Sequence, residues 1–368
     1  MRILLVIYGN INQISGGYLY DKIVIEYLKK KGDMVDIFEI QPKFYLLSMF
    51  DNFFNKNLQK ILKNNNYDLI IIDELVAPSV FFLILINKNK KKILTLVHHL
   101  KISEKINFIF KFFAFFIEKI LLNNSEYLVV NSNTTLKICK KLLKNDKKIL
   151  VCKPGYKILT KSQKYYQLPS NFKDKVILLS VGNVIKRKNH LFLIECLKEI
   201  KNLDWAFIIV GNNNLNKNYT NKILKKIKKY KLEKQIIFTG RIEDEYLIDI
   251  YQQSNIFVFP SLYEGYGIVL AESLSFGLPF VGFDCGALNE VVFDSFSRNY
   301  NNISKNICGF LLKRNDKKEF NECLKNLISN KELRNKMSNN CEKILQQIPD
   351  WDETQKLFYD FVHRVSEI

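Results

Sequence analysis

Short apolar runs recur along this chain at intervals that leave room for one helix each. Residues 2–8, 35–39, 68–73, 93–97, 127–131 and 149–152 read as strands, and helix-patterned stretches such as Tyr18 to Lys31 lie between most of them. A second series opens after Pro154-Gly155. It runs strand Val176–Val181, helix Asn189–Ile200, strand Trp205–Val210, helix Asn221–Tyr230, strand Gln235–Phe238, helix Asp244–Gln253 and strand Ile256–Phe259. Strands separated by single helices pair in parallel, and the crossover helices cover both faces of the sheet. The chain is therefore expected to be α/β, with two Rossmann-like doubly wound domains, and 368 residues suffice for two. The expected division is 1–157 for the first domain, 158–175 for a polar linker, 176–350 for the second domain and 351–368 for a closing helix.

Residues 254–283 carry the most chemistry. Ile256 to Phe259 is a strand closed by Pro260, Ser261 to Gly267 a turn, and Ile268 to Phe276 a helix stopped by Gly277-Leu-Pro279 before a further strand from Phe280. In an open α/β sheet, ligands bind outside the carboxyl ends of the strands, where this loop lies. Gly265 and Gly267, either side of Tyr266, let the backbone approach a ligand. The first N–H groups of the helix, from Ile268 on, lack partners within it and suit a phosphate. Two carboxylates frame this anion site. Glu272, set among Val269, Leu270, Ala271 and Leu274, is expected to be half-buried and in need of hydrogen-bond donors, which a ribose diol supplies. Glu264 stands at the loop, placed for a second polyhydroxylated group. Taken singly, such a pair is also what a capping glutamate and a solvated one would give.

Seven residues between Glu264 and Glu272, with the Gly-Tyr-Gly loop and the Phe-Gly-Leu-Pro stop in register, resemble the signature of the retaining glycosyltransferases of family 4. That resemblance implies a GT-B fold, two Rossmann-like domains facing a cleft, with the final helix, about Asp352 to Val365, crossing back to the first. It also implies transfer of a sugar from a nucleoside-diphosphate-sugar, UDP- or GDP-linked, to an acceptor hydroxyl with retention. Segment Val181 to His190 is similar to the family segment that places a lysine six residues after a glycine, here Lys188. The family often has an arginine directly after that glycine; Asn183 stands there, and Arg187 is the local substitute. Gly16 and Gly17, in Ile14-Ser-Gly-Gly-Tyr18, resemble the family's amino-terminal glycine pair at the donor. His98-His99 ends the strand at 93–97, where the family has a histidine on the donor sugar. Neighbours in extended chain point opposite ways, so one of the two faces the ligand, and the sequence does not say which. Ile242, in Thr239 to Asp244, resembles the loop whose backbone holds the nucleobase. The implied catalytic set is Glu264, Lys188 and His98 or His99. Glu290, which follows a similar loop at 284–289, reads as a helix-start residue.

No metal or other cofactor is expected. The D-x-D at Asp350-Trp351-Asp352 is explained by acids at a helix start. Seven scattered cysteines without a C-x-x-C pair suggest reduced thiols in a cytoplasmic protein. No apolar run approaches the ~20 residues of a membrane span, and Met1 to Tyr8 lacks a cleavage site and reads as a strand. The formal charge is +19, and residues 1–160 hold 25 basic side chains against 13 acidic. Nucleic acid is not the expected partner, since no binding module is recognisable. Residues 106–122 (INFIFKFFAFFIEKILL) admit two readings: a helix lying on an anionic membrane, with Lys105, Lys111 and Lys119 among its aromatics, or a helix packed in the core. On the first, the protein sits peripherally on the inner face of the cell membrane and its acceptor is a lipid-linked or cell-surface glycan. A sugar-nucleotide epimerase or phosphorylase would share the fold. The first needs additional acid–base carboxylates, the second normally a pyridoxal phosphate on a lysine.

Overall fold

The computed structural model describes every residue except Ile14, 87–91, Lys105, 157–163, Asp294, 302–306 and 367–368. The chain divides into two compact units, Met1–Gly155 with Pro349–Ile368, and Tyr156–Ile348. Part of the expected linker lies outside the described residues. Tyr166 donates its N–H to Asp249 at 2.7 Å and Phe172 is buried, so the described part, 164–175, is attached to the second unit.

In the first unit the strands are β1 (Arg2–Tyr8), β2 (Met34–Ile40), β3 (Leu69–Asp73), β4 (Ile93–Val97), β5 (Tyr127–Val130) and β6 (Lys148–Val151). They form one parallel sheet in the order β2-β1-β3-β4-β5-β6. Residues Leu69–Asp73 and Ile93–Val97 are buried throughout, as continuous apolar runs covered on both faces must be. The strand order reverses between β1 and β3. The helix Gly16–Lys30 follows β1 and is capped by Ser15, whose Oγ accepts from Tyr18 N–H at 3.4 Å.

The second unit holds β7 (Val176–Val181), β8 (Trp205–Val210), β9 (Ile236–Gly240), β10 (Ile256–Phe259), β11 (Phe280–Phe283), β12 (Phe296–Ser297) and β13 (Gly309–Leu312). Their order is β12-β13-β11-β10-β7-β8-β9, again all parallel. Here the reversal falls between β7 and β10. The loops leaving their carboxyl ends diverge to opposite faces and leave a crevice, the usual binding place in such sheets. Residues 182–188 follow β7 and residues 260–267 follow β10.

The closing helix, Trp351–Ser366, belongs to the first unit. Phe358, Val362 and Val365 enter the same core as Tyr20, Val24 and Leu28 of the helix Gly16–Lys30. Asp350 Oδ1 accepts from Glu353 N–H at 2.8 Å, and Glu353 accepts from Asp350 N–H at 3.3 Å. The D-x-D segment is thus a reciprocal helix cap.

Candidate active site

Three side chains converge at the β7–β10 crevice. Lys188 Nζ lies 2.7 Å from Glu264 Oε1, and Arg187 Nη1 donates to Glu264 Oε2 at 3.1 Å and to the Tyr263 carbonyl at 2.6 Å. The chain brings the cations there through a short 3-10 turn, Lys186–Lys188, and a left-handed Asn189 that opens the helix His190–Glu199. Gly182 is needed for this turn. Its φ is +140°, and a Cβ there would come 2.9 Å from Lys188 Cε. The backbone is tied as well, because Leu262 N–H donates to the Arg187 carbonyl at 2.8 Å. Burial alone would raise the Glu264 pKa; the adjacent Lys188 and Arg187 charges outweigh it and hold the carboxyl at about 2. His190 is fully buried behind Lys188, and burial together with that charge lowers its pKa to about 3, so it is neutral.

The loop after β10 leads into the helix Ile268–Ser275. Its N-cap is Gly267, with φ +107° and no side-chain cap. The first N–H groups of this helix have no intrahelical acceptor. Glu272 is half-buried, as its neighbours in sequence imply, and accepts from the Tyr251 hydroxyl at 3.3 Å. Tyr266 is 3% exposed, and its hydroxyl is buried without a hydrogen-bond partner. Ile242 lies in the loop between β9 and the helix Asp244–Gln253.

Sequence reasoning did not see what holds Glu264 in place. Gly286, in the loop after β11, has φ +60°, and a Cβ there would fall 1.7 Å from the Glu264 carbonyl oxygen. Ala287 N–H donates to that oxygen at 3.2 Å, and Cys285 Sγ donates to the Ser261 carbonyl at 3.1 Å. Glu290 lies in the first turn of the helix Leu288–Val292. All seven cysteines are buried and unpaired.

In the first unit the structure separates the two histidines. His98 lies against the glycine pair, where a Cβ on Gly17 would come 3.2 Å from the imidazole Cδ2, and its Nε2 is 2.8 Å from Asp21 Oδ1. His99 turns to Glu104 at 2.9 Å. Behind His98 sits a buried acidic group that sequence reasoning missed. Glu74 accepts the N–H of His98 at 2.8 Å and of His99 at 3.3 Å. Asp21, Asp73 and His98 have potential metal-ligand atoms within 4.8 Å of one another, and one oxygen of each aspartate has no hydrogen-bond partner. The two acids ending the apolar run of β3 are the one signal in the sequence. Burial opposes a charge on His98, but Asp21 first, then Glu74 and Asp73, raise its pKa to about 10. Burial raises Asp73 to about 7 and lifts Glu74 well above the usual carboxylate range. The group is an imidazolium–aspartate pair flanked by protonating carboxyls, and its Nε2 is already committed to Asp21.

Residues 163–344 match the family model described as glycosyl transferases group 1. Over 202 residues the chain is 30% identical to the UDP-Gal:alpha-D-GlcNAc-diphosphoundecaprenol alpha-1,3-galactosyltransferase of Escherichia coli, covering 52% of this chain and 47% of that one. It spans 66%, 64% and 29% of three further curated relatives. Sucrose-phosphate synthase from Thermosynechococcus elongatus superposes with a TM-score of 0.80 at 17% identity, over 99% of this chain and 98% of that one. Anabaena HepE in complex with UDP and glucose gives 0.74 at 16% identity over the whole of both.

Proposed function

We propose that this chain, whose two sheets have the GT-B fold and whose residues 163–344 belong to the group 1 glycosyl transferases, moves a hexosyl group from a nucleoside-diphosphate-sugar to an acceptor hydroxyl with retention of anomeric configuration. The observation that carries this reading is the contact of Lys188 and Arg187 with Glu264 at the switch point of the second sheet. An ammonium has three donors. Lys188 can hold Glu264 with one and a diphosphate oxygen with another. Negative charge grows on the leaving diphosphate as the glycosidic bond breaks, and a fixed cation with preorganised N–H groups at the start of Ile268–Ser275 stabilises it. Glu264, kept ionised by the same cations, holds sugar hydroxyls. Glu272 holds the ribose, with Tyr251 fixing its carboxylate, and the backbone near Ile242 holds the base. Front-side attack by the acceptor, with the departing phosphate oxygen taking its proton, needs no protein nucleophile. No metal is invoked, because Lys188, Arg187 and the helix amides supply the positive charge.

The donor is read as UDP- or GDP-linked. The E. coli relative is named for a UDP-linked donor and a diphosphoundecaprenol acceptor. A lipid-linked or cell-surface glycan under assembly is the acceptor proposed here. Among the described residues no helix is long and apolar enough to cross a membrane. We place the protein in the cytoplasm, peripheral to the membrane, with residues 106–122 as the contact.

Thermal stabilisation across a panel of nucleotide-sugars identifies the donor. Calorimetry then separates the two glutamates. Glu272→Ala should weaken binding of the free nucleoside diphosphate about tenfold or more, the loss of one charged hydrogen bond. Glu264→Ala should spare the free nucleotide and weaken the intact donor. Equal losses for both ligands in both variants would remove this division of roles.

A further inference from the structure

The helix Phe108–Asn124 is neither wholly core nor wholly surface. Ala114, Ile117, Leu121 and Leu122 form a buried stripe at helical spacing. On its other flank Phe108, Phe112 and Phe116 are 81%, 53% and 46% exposed, and the rings of Phe112 and Phe116 lie 4.7 Å apart. The exposure continues onto elements distant in sequence. The helix Ala77–Leu85 packs against Phe108–Asn124 and against the short helix Asp51–Phe54. Phe53 meets Phe82 with ring centroids 5.2 Å apart, and Phe54 beside it is 76% exposed. Fourteen of the twenty-one large apolar side chains left exposed among the described residues fall in 44–54, 85–86 and 108–116. Apolar surface gathered on this scale marks an interaction site.

Charge decides what covers it. Residues 41–66 and 106–124 together carry six lysines and only two acids, Asp51 and Glu118. Both acids are buried. Asp51 takes Lys43 and Ser79, and Glu118 accepts the N–H groups of Lys101 and Ile102. Lys56, Lys60, Lys63 and Lys111 stay exposed. Lys119 Nζ stands 5.2 Å from the Phe115 ring centroid. A second copy of this face would set lysines against lysines, whereas anionic headgroups above acyl chains match both the charge and the rings.

We infer that Asp51–Phe54, the end of Ala77–Leu85 and the outer flank of Phe108–Asn124 form one platform that docks on an anionic lipid surface, rings among the acyl chains and lysines at the headgroups. It rests on the membrane part of the reading above and extends it to residues 44–54 and 85–86. It does not depend on the transfer chemistry. Co-sedimentation of the full chain with phosphatidylglycerol–phosphatidylcholine vesicles, against phosphatidylcholine alone, tests it. Binding should need the anionic lipid and be released by high salt. Phe53→Ser with Phe54→Ser should lower the bound fraction about tenfold or more, with melting and nucleotide-sugar stabilisation unchanged. Lys60→Glu with Lys63→Glu, on an exposed helix face, should do the same and guards against a misfolded aromatic variant. The platform is overturned if both double variants bind like the parent, if neutral vesicles bind equally, or if sedimentation equilibrium shows a dimer that Phe112→Ser with Phe116→Ser dissociates. Vesicle binding without stabilisation by any nucleotide-sugar would uphold the platform and remove the proposed activity instead.

Discussion

Lys188 is the residue on which the proposed chemistry turns, and its surroundings say what its loss does. Arg187 still holds Glu264 when Lys188 is gone, so the crevice keeps one of its two ion pairs. Lys188→Ala should therefore stay folded while turnover falls about 10²–10³-fold, the usual effect of removing a preorganised charge from a developing anion. Near-normal turnover with the correct donor would sink the assignment. His98 gives the pH prediction. Its pKa in the fold, about 10, lies above the ordinary 6.5, so its stabilising contribution is complete below about 6.5 and is lost as pH rises toward 10. Asp73, raised from 3.8 to about 7, acts in the same direction over a lower window: its ionisation in the fold is unfavourable, so stability falls between about pH 4 and pH 7, and the further fall above pH 7 is that of His98. The melting point of the first unit should fall between pH 7 and pH 10, less steeply in Asp21→Asn. In that variant the His98 ring resonances should titrate nearer neutrality, and a parent His98 titrating at its ordinary pKa would refute the pairing. Of these residues Glu264, Lys188 and Arg187 were legible one by one, because each lies in a short loop between a strand and a helix, whereas the contact between the two loops was not. Asp21, Asp73 and Glu74 were not, since the helix Gly16–Lys30 and the ends of β3 and β4 come together only when the first unit is folded.

At the scale of elements, apolar runs and their stops place the first eleven strands to within one or two residues, several of them to the residue, while β12 and β13 were not read from the sequence. Val176–Val181, Trp205–Val210, Ile256–Phe259 and Phe280–Phe283 have the expected bounds. The helix expected at Asn221 starts four residues earlier, at Lys217, where Asn216 caps it by accepting from Tyr219 N–H. The loop after β11 shows what such reading misses. Its glycine looks like an ordinary turn residue, yet it faces the Glu264 backbone without room for a methyl group. Gly286→Ala should cost about 1–3 kcal/mol from the positive φ alone. Displacing Glu264 adds to that, so donor affinity should fall along with the melting point. A variant with parental stability and affinity would show that this loop does not set the carboxylate.

Across the whole molecule the chain ends where it began. Gly155 lets the closing helix return to the first unit, since a Cβ there would lie 2.4 Å from the Asp350 carbonyl carbon, and Thr354 Oγ1 donates to the Lys153 carbonyl at 2.9 Å. Phe358 is fully buried beside Tyr20, at a centroid distance of 6.4 Å. Phe358→Ala should destabilise the first unit by about 3–5 kcal/mol. Calorimetry should show that unit melting earlier while the transition of residues 156–348 keeps its place; an unshifted first transition would place the helix elsewhere. The sequence by itself determined the α/β class, the two series of parallel strands and the strand–loop–helix unit that carries Glu264 and Glu272, because periodicity and stops are local. Only the tertiary structure decided which histidine meets the glycine pair, which buried acids charge it, and which distant phenylalanines share one face. Those depend on strand order and crossover packing, which bring together residues that no local pattern links.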